Sequence, residues 1–252
     1  MIKADWFIWW LRGAQWLRAF WAKLMGEAEI LYKGEHGFIV WVEWPRARRS
    51  SGGLFVYSSE ENGFYNLLSM ASKWKSSLNG DIIVIAKEGL TLKQLCIDAE
   101  SIFYIWNIPE ARPLEPNFDV DIKVFPETAK EVEKAIKQVM KRSWGFVIMP
   151  RRDLHLVISA WLNGEPVGIA YLNKLNFNID FGVHVVRKLW RKRIGTRLLH
   201  EVLRLASARG AERATVVRIY RQLGGSPSDK AATSFYRANN PSMMFSVYRL
   251  HA

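Results

Sequence analysis

Cysteine and histidine are scarce in this chain of 252 residues, which holds one cysteine, Cys96, and five histidines. A single thiol excludes an internal disulfide framework and a multi-cysteine metal site and suits a reducing compartment, so a cytoplasmic location is expected. The histidines stand at no metal-ligand spacing, and no metal is expected. Long apolar runs are also lacking. The Trp-rich start "MIKADWFIWWLRGAQWLRAFWAKLMG" is interrupted by Asp5, Arg12, Arg18 and Lys23. It has no small-residue cleavage site and falls short of the roughly 20 apolar residues a membrane span needs. It reads as mature protein with no transmembrane segment. Trp6, Trp9, Trp10, Trp16, Leu17, Phe20, Trp21 and Leu24 recur at helical spacing, which predicts an amphipathic helix docked by its aromatic face on the protein's own core.

Acidic residues are the next shortage, and it is local. Lys and Arg number 13 against 13 Asp and Glu before Phe118, and 23 against 11 from there on, so the whole net charge of +12 lies in the second half. That asymmetry fits nucleic acid, an anionic membrane or a phosphate-rich cofactor. The proline-rich "IPEARPLEPN" marks the change and divides the chain into an expected N-terminal Trp-rich α/β domain, 1–117, and a second domain, 118–252.

The second domain is readable element by element. "FDVDIKVF" alternates as a strand, and "PETAKEVEKAIKQVMKRS" opens with Pro126 and continues as an amphipathic helix. "HLVISAWL", "PVGIAYL" and "FNIDFGVHVV" read as strands, the first two joined by a hairpin turn at Asn163-Gly164. A basic loop, "RKLWRKR", leads into a helix from about Ile194 to Arg209 closed by Gly210, then the strand "RATVVRI", a Gly-Ser-Pro loop, a helix over about Asp229–Ala238 and the strand "MFSVYRL". The fold class is α/β (α+β): a mixed, mostly antiparallel sheet flanked by helices.

This order, with the basic glycine loop between the fourth strand and the long helix, resembles the GCN5-related N-acetyltransferase (GNAT) family over Phe118–Ala252. The family's acetyl-CoA motif, Gln/Arg-x-x-Gly-x-Gly/Ala, falls on Trp190, Arg191, Lys192, Arg193, Ile194 and Gly195, of which only Gly195 is kept. A second motif, Asn-x-x-Ala-x-x-Phe/Leu-Tyr, aligns better, with Asp229, Ala232, Phe235 and Tyr236 in "DKAATSFY". The first half carries its own strand, loop, helix, strand pattern in "GLFVYSSEENGFYNLLSMASKWKSSLNGDIIVIAKEG", followed by a helix in "TLKQLCIDAE" and a strand in "IFYIWNI". Gly63 can be laid on Gly195 and the helix-ending Gly80 on Gly210. The first domain is therefore either a smaller, degenerate copy or an unrelated α/β domain. Glu60 and Glu61 in its loop disfavour a second phosphate site there.

The resemblance implies an acetyl-CoA-dependent N-acetyltransferase that moves an acetyl group to a primary amine of a peptide or small molecule by direct attack. The phosphates would lie on the amides and side chains of Arg191, Lys192, Arg193, Ile194, Gly195 and Thr196, at a helix N-terminus that favours anions. Asp229 and Ala232 complete the cofactor set. Arg193 fits its position at negative φ and is strained at positive φ. By register Val185, with Val183 close by, offers a backbone N–H to the thioester, and Tyr236 is the candidate acid. Asp180 and His184, on the polar face of "NFNIDFGVHVV" opposite Phe177, Ile179, Phe181, Val183 and Val185, are alternative bases. Two other readings stand beside this one: a noncatalytic nucleic-acid-binding protein that stacks bases on Trp190, and an acetyl-CoA-binding sensor. A homodimer is a further possibility.

Overall fold

A computed structural model describes residues 1–14, 25–45, 51–88, 100–125, 130–219 and 227–250. Trp16, Leu17, Phe20, Trp21, Leu24, Cys96, the helix read in 91–99, the start at Pro126 and most of the Gly-Ser-Pro loop lie outside the described residues. In chain order the elements are α1 (Ala4–Ala14), β1 (Ala28–Lys33), β2 (Gly37–Glu43), β3 (Gly52–Ser58), α2 (Glu61–Leu78), β4 (Gly80–Lys87), β5 (Ser101–Asn107) and β6 (Asp121–Phe125). There follow α3 (Lys130–Ser143), β7 (His155–Leu162), β8 (Glu165–Asn173), β9 (Ile179–Val185), α4 (Ile194–Ser207), β10 (Arg213–Ile219), α5 (Pro227–Ala238) and β11 (Met243–Leu250). These form mixed α/β structure, mostly antiparallel sheet flanked by helices. No helix among the described residues is long and apolar enough to cross a membrane.

The chain forms two compact units. One comprises Met1–Phe103, Ile219–Gly225 and Met243–Ala252; the other comprises Tyr104–Arg218 and Ser226–Ser242. The division falls inside β5, and the strand read at "MFSVYRL" joins the first unit.

In the first unit the strands run in the order β1-β2-β3-β4-β11. β3 and β4, joined by α2, pair in parallel from Gly52↔Gly80 to Ser58↔Ala86, and β11 pairs antiparallel with β4. The strands "GFIVWV", "GLFVYS" and "DIIVIA" are apolar at nearly every position because both faces are covered. Phe7 and Trp10 of α1 pack with Phe38, Phe55 and Phe103 on one face. Phe64, Leu67 and Ala71 of α2 pack with Ile39, Trp41, Leu54, Val56, Ile82 and Val84 on the other. The aromatic face of α1 is thus core over Ala4–Ala14, while Trp9 stands outside it, 41% exposed. Gly80 does not end α2. Asn79 takes the left-handed C-cap conformation, with φ 48°. Gly80 opens β4, and the Trp41 indole lies where its Cβ would be.

In the second unit β6-β7-β8-β9 form an antiparallel sheet, and β10 is a hydrogen-bonded neighbour of β5. The β7–β8 hairpin turns at Asn163 and Gly164, with φ 51° and 77°, the left-handed pair that an Asn-Gly turn supplies. Val132, Ile136, Val139 and Met140 of α3 pack on Val157, Ile169 and Tyr171. α4 buries Ile194, Leu198, Leu199, Val202, Leu205 and Ala206 and contacts β7, β8 and β9.

The α1 packing yields a direct test by urea unfolding. Trp10→Ala, which empties a fully buried site, is expected to cost about 3–5 kcal/mol. Trp9→Ala on the same helix, where the indole is 41% exposed, should cost markedly less.

Candidate active site

β9 and β10 are held together at one point. Among the described residues the bridge between them is parallel, from Asn178, just before β9, to Thr215; beyond it the two strands belong to different sheets. A buried polar network secures that point. Thr215 Oγ1 donates to Asn178 Oδ1 at 2.8 Å, and Asn178 Nδ2 donates to Asp180 Oδ1 at 2.7 Å. Asp180 Oδ2 accepts from Asn173 Nδ2 at 3.0 Å and meets His155 Nε2 at 2.8 Å. His155 Nδ1 accepts the Arg151 N–H at 2.9 Å, so its proton is on Nε2 and is donated to Asp180. Asp180, His155, Asn173 and Asn178 are all buried. At Asp180 the polar face of β9 expected to stand open to a substrate therefore lies under α3, and the carboxylate accepts three hydrogen bonds within the fold.

Immediately after Asp180 the strand bulges. Tyr171 is opposite Asp180 and Ala170 is opposite Val183, so Phe181 and Gly182 have no partner on β8; their φ values are 63° and 82°. The bulge carries Phe181 onto the α3 side, where it packs edge-on to Tyr171. Strict alternation had placed it with Ile179 and Val183. Gly182 is the position where a side chain does not fit, since a Cβ would come within 2.8 Å of Tyr236 Oη. Val183 N–H donates to that same oxygen at 3.0 Å. The phenol accepts in this bond and keeps its own O–H as a donor. It sits among Tyr104, Trp106 and Phe235, and burial pushes its pKa above the ordinary tyrosine value. His184, on the other side of the strand, places Nε2 3.0 Å from Phe181 O and Nδ1 3.3 Å from Ser143 Oγ. Val185 O accepts the Trp190 indole N–H at 2.8 Å, which ties the start of the basic loop to the strand end.

The loop then enters α4 with Arg191 at φ 63° and Arg193 at φ 55°. Arg193 occupies the motif position where glycine is usual, and the left-handed conformation found there is the one that disfavours a side chain, by about 1–2 kcal/mol. The N-cap residue of α4, Arg193, makes no side-chain cap, so the first N–H groups and the dipole of α4 lie uncapped beside the exposed Arg191, Lys192 and Arg193. Ile194, Gly195 and Thr196 point inward and are buried. The retained Gly195 serves helix packing: a Cβ there would lie 2.9 Å from Phe235 Cε2 of α5. An unanticipated strap runs past this loop. Arg193 Nη1 donates to Glu115 O at 3.1 Å, Asn117 Nδ2 donates to Lys192 O at 3.0 Å, and His200 Nε2 lies 2.8 Å from Leu114 O. Arg197, whose Nε is buried with no hydrogen-bond partner, holds its guanidinium over the Phe118 ring at 5.7 Å.

At the other motif, Asp229 lies in the first turn of α5 and is ion-paired with Arg218 of β10. Both are largely buried. Ala232 is half-buried one turn along. The sequence held one signal for the bulge, an isolated glycine inside a strand, but Arg218 and the strap carried no local mark.

The model of the acetyltransferase (GNAT) family matches residues 121–239. The match covers 119 of the chain's 252 residues. Similar solved structures include a GCN5-related N-acetyltransferase from Kribbella flavida, at 12% identity over 99% of this chain and 96% of that one, TM-score 0.48. Another is a GCN5-related N-acetyltransferase from Sphaerobacter thermophilus, at 16% identity over 87% and 82%, TM-score 0.44. A third is a tandem GNAT protein from the clavulanic acid biosynthesis pathway, at 9% identity over 85% and 78%, TM-score 0.42. No curated protein matches the sequence significantly.

Two predictions follow from the packing around α5. Gly195→Ala should destabilise by about 1–3 kcal/mol through overpacking, and Phe235→Leu should recover part of that loss in the double variant. Tyr236 is neutral in the fold with a raised pKa, so its contribution is complete below the unfolded tyrosine value of about 10 and is lost as pH rises through the folded one. Stability measured from pH 8 to 12 should fall less steeply in Tyr236→Phe than in the wild type.

Proposed function

We propose that the second unit is an acetyl-CoA-dependent N-acetyltransferase acting on a primary amine. The observation that carries this reading is the separation of β9 and β10 beyond a single bridge, next to the uncapped N-terminus of α4. Separated strands expose backbone groups that an extended, amide-bearing chain can pair with, and an uncapped helix end beside three exposed cations suits its phosphates. The thioester of acetyl-CoA supplies an activated acetyl group. Arg191, Lys192 and Arg193 would hold the phosphates together with the first α4 amides, and the Val183–Val185 backbone would face the pantetheine and acetyl portion. The amine forms the C–N bond as the C–S bond breaks, and the proton it loses balances the one taken up by the thiolate. Tyr236, protonated because it is buried, is the donor available at the bulge. His184 is the base we propose, through Nδ1, since its Nε2 carries the proton donated to Phe181 O. Asp180 we assign to positioning, since its oxygens already accept from His155, Asn173 and Asn178.

In the first unit the corresponding strand–helix–strand, β3–α2–β4, is zipped in parallel over all seven residues of β3. No separation between those strands is left for a cofactor, and catalysis is assigned to the second unit alone.

Isothermal titration calorimetry tests this. Acetyl-CoA should bind the wild type more tightly than ATP or a short DNA duplex. Arg191→Ala/Lys192→Ala should weaken it about tenfold, each exposed cation being worth about 1 kcal/mol or less. Salt-steep binding of the duplex with no preference for acetyl-CoA would replace this reading with a nucleic-acid one.

A further inference from the structure

A ladder of aromatic rings leads from the β9 bulge to the surface. The His184 ring, bonded to Phe181 O, lies 4.5 Å from the Trp144 indole between centroids. Trp144 in turn stacks on Phe146 at 4.3 Å and 21°. Phe146 is 44% exposed and Met149 36%. The segment bearing them is anchored. Trp144 N–H and Gly145 N–H both return to Met140 O, and Gly145 turns the chain at φ 86°. Ile148 N–H donates to Met140 Sδ at 3.3 Å, and Tyr171 Oη donates to Ile148 O at 2.9 Å. An apolar platform fixed at this many points and left exposed is not core, and its inner end touches the bulge against which Tyr236 rests.

The charge around this platform is one-sided. Residues 141–153 carry Lys141, Arg142, Arg151 and Arg152 against Asp153 alone, and Asp153 is paired with Arg151. Arg187, which is exposed, donates from Nε to Ser143 O at 3.1 Å; this holds the guanidinium at the C-terminal end of α3, one residue from Trp144. A polyamine would meet repulsion here. An anionic group would meet a held guanidinium fork, the geometry that favours a carboxylate.

We propose that the acceptor is a small primary amine with a large apolar body and a carboxylate, the chemistry of an aromatic amino acid. The body stacks on Trp144 and Phe146, the carboxylate pairs with Arg187, and the amine reaches the bulge near His184. This rests on the acetyltransferase reading above and narrows it to a class of acceptor.

The test is acetyl transfer from acetyl-CoA, followed by thiol release and product mass. The acceptors are L-phenylalanine, phenethylamine (no carboxylate), glycine (no apolar body) and spermidine (a polycation), with acetyl-CoA binding measured separately by calorimetry. The expected result is kcat/KM for L-phenylalanine at least about tenfold above each of the other three. Phe146→Ala should raise the KM for L-phenylalanine about tenfold with kcat and acetyl-CoA affinity little changed, the signature of lost ground-state binding. Arg187→Ala should erase the preference for L-phenylalanine over phenethylamine, and Arg187→Lys should restore part of it. Preference for spermidine, phenethylamine or glycine overturns the proposal, as does acetyl-CoA binding with no transfer to L-phenylalanine. Failure to bind acetyl-CoA at all would instead overturn the reading on which the proposal rests.

Discussion

The second unit depends on how β9 is fastened to β10: at Asn178 and Thr215, and at no further bridge among the described residues. Two adjacent parallel strands normally continue to pair, because each unpaired N–H or C=O left away from water is costly. Here the pairing is confined to one end by a network that includes a fully buried carboxylate, itself held by neutral His155 and two asparagines. Burying a charge is tolerable only when it is hydrogen-bonded, and both oxygens of this carboxylate accept. The next two residues are the bulge, so the same network that closes one end of the gap sets the register at which β9 turns away. Tyr236, the Val183 amide and His184 all take their places from that bulge.

The two units use a related local order to opposite ends. In the first, a strand, a helix and a parallel strand close into a continuous ladder whose faces are covered by α1 and α2. In the second, the order recurs with the ladder reduced to one bridge, while the helix N-terminus lacks a side-chain cap in both units. The first arrangement buries its backbone within itself. The second leaves strand backbone groups available beyond its bridge, at a cost in local stability that sites of binding commonly carry.

Much of the architecture was legible in the chain. "HLVISAWL" is β7 to the residue, "RATVVRI" is β10, and the Asn163-Gly164 turn behaves as its dipeptide requires. Periodicity identifies such elements because each buries a face against one neighbour. It fails where the chain departs from regular geometry for reasons held elsewhere. Phe181 changes sides because of a bulge that depends on Tyr236, fifty-five residues later in the sequence. Gly195 was read for its place in a ligand motif, and its missing side chain also makes room for Phe235. The left-handed Arg191 and Arg193 have no sequence mark, since arginine rarely adopts that conformation. Asp180 was correctly placed on the polar side of β9 but not in its environment, because nothing local announces that α3 covers that side. The division of the chain was also read as a single cut at residue 117, whereas β11 is built into the first unit.

That last feature bears on synthesis. β4 lies between β3 and β11, and β11 is translated after every other strand of the sheet it completes. Until residues 243–250 emerge, β4 presents a free edge along "GDIIVIAK", an apolar, β-rich run of the kind prone to intermolecular pairing. The first unit, though nearly finished early by sequence, is therefore completed last in time, and a chain interrupted before β11 would leave the ribosome with that edge uncovered.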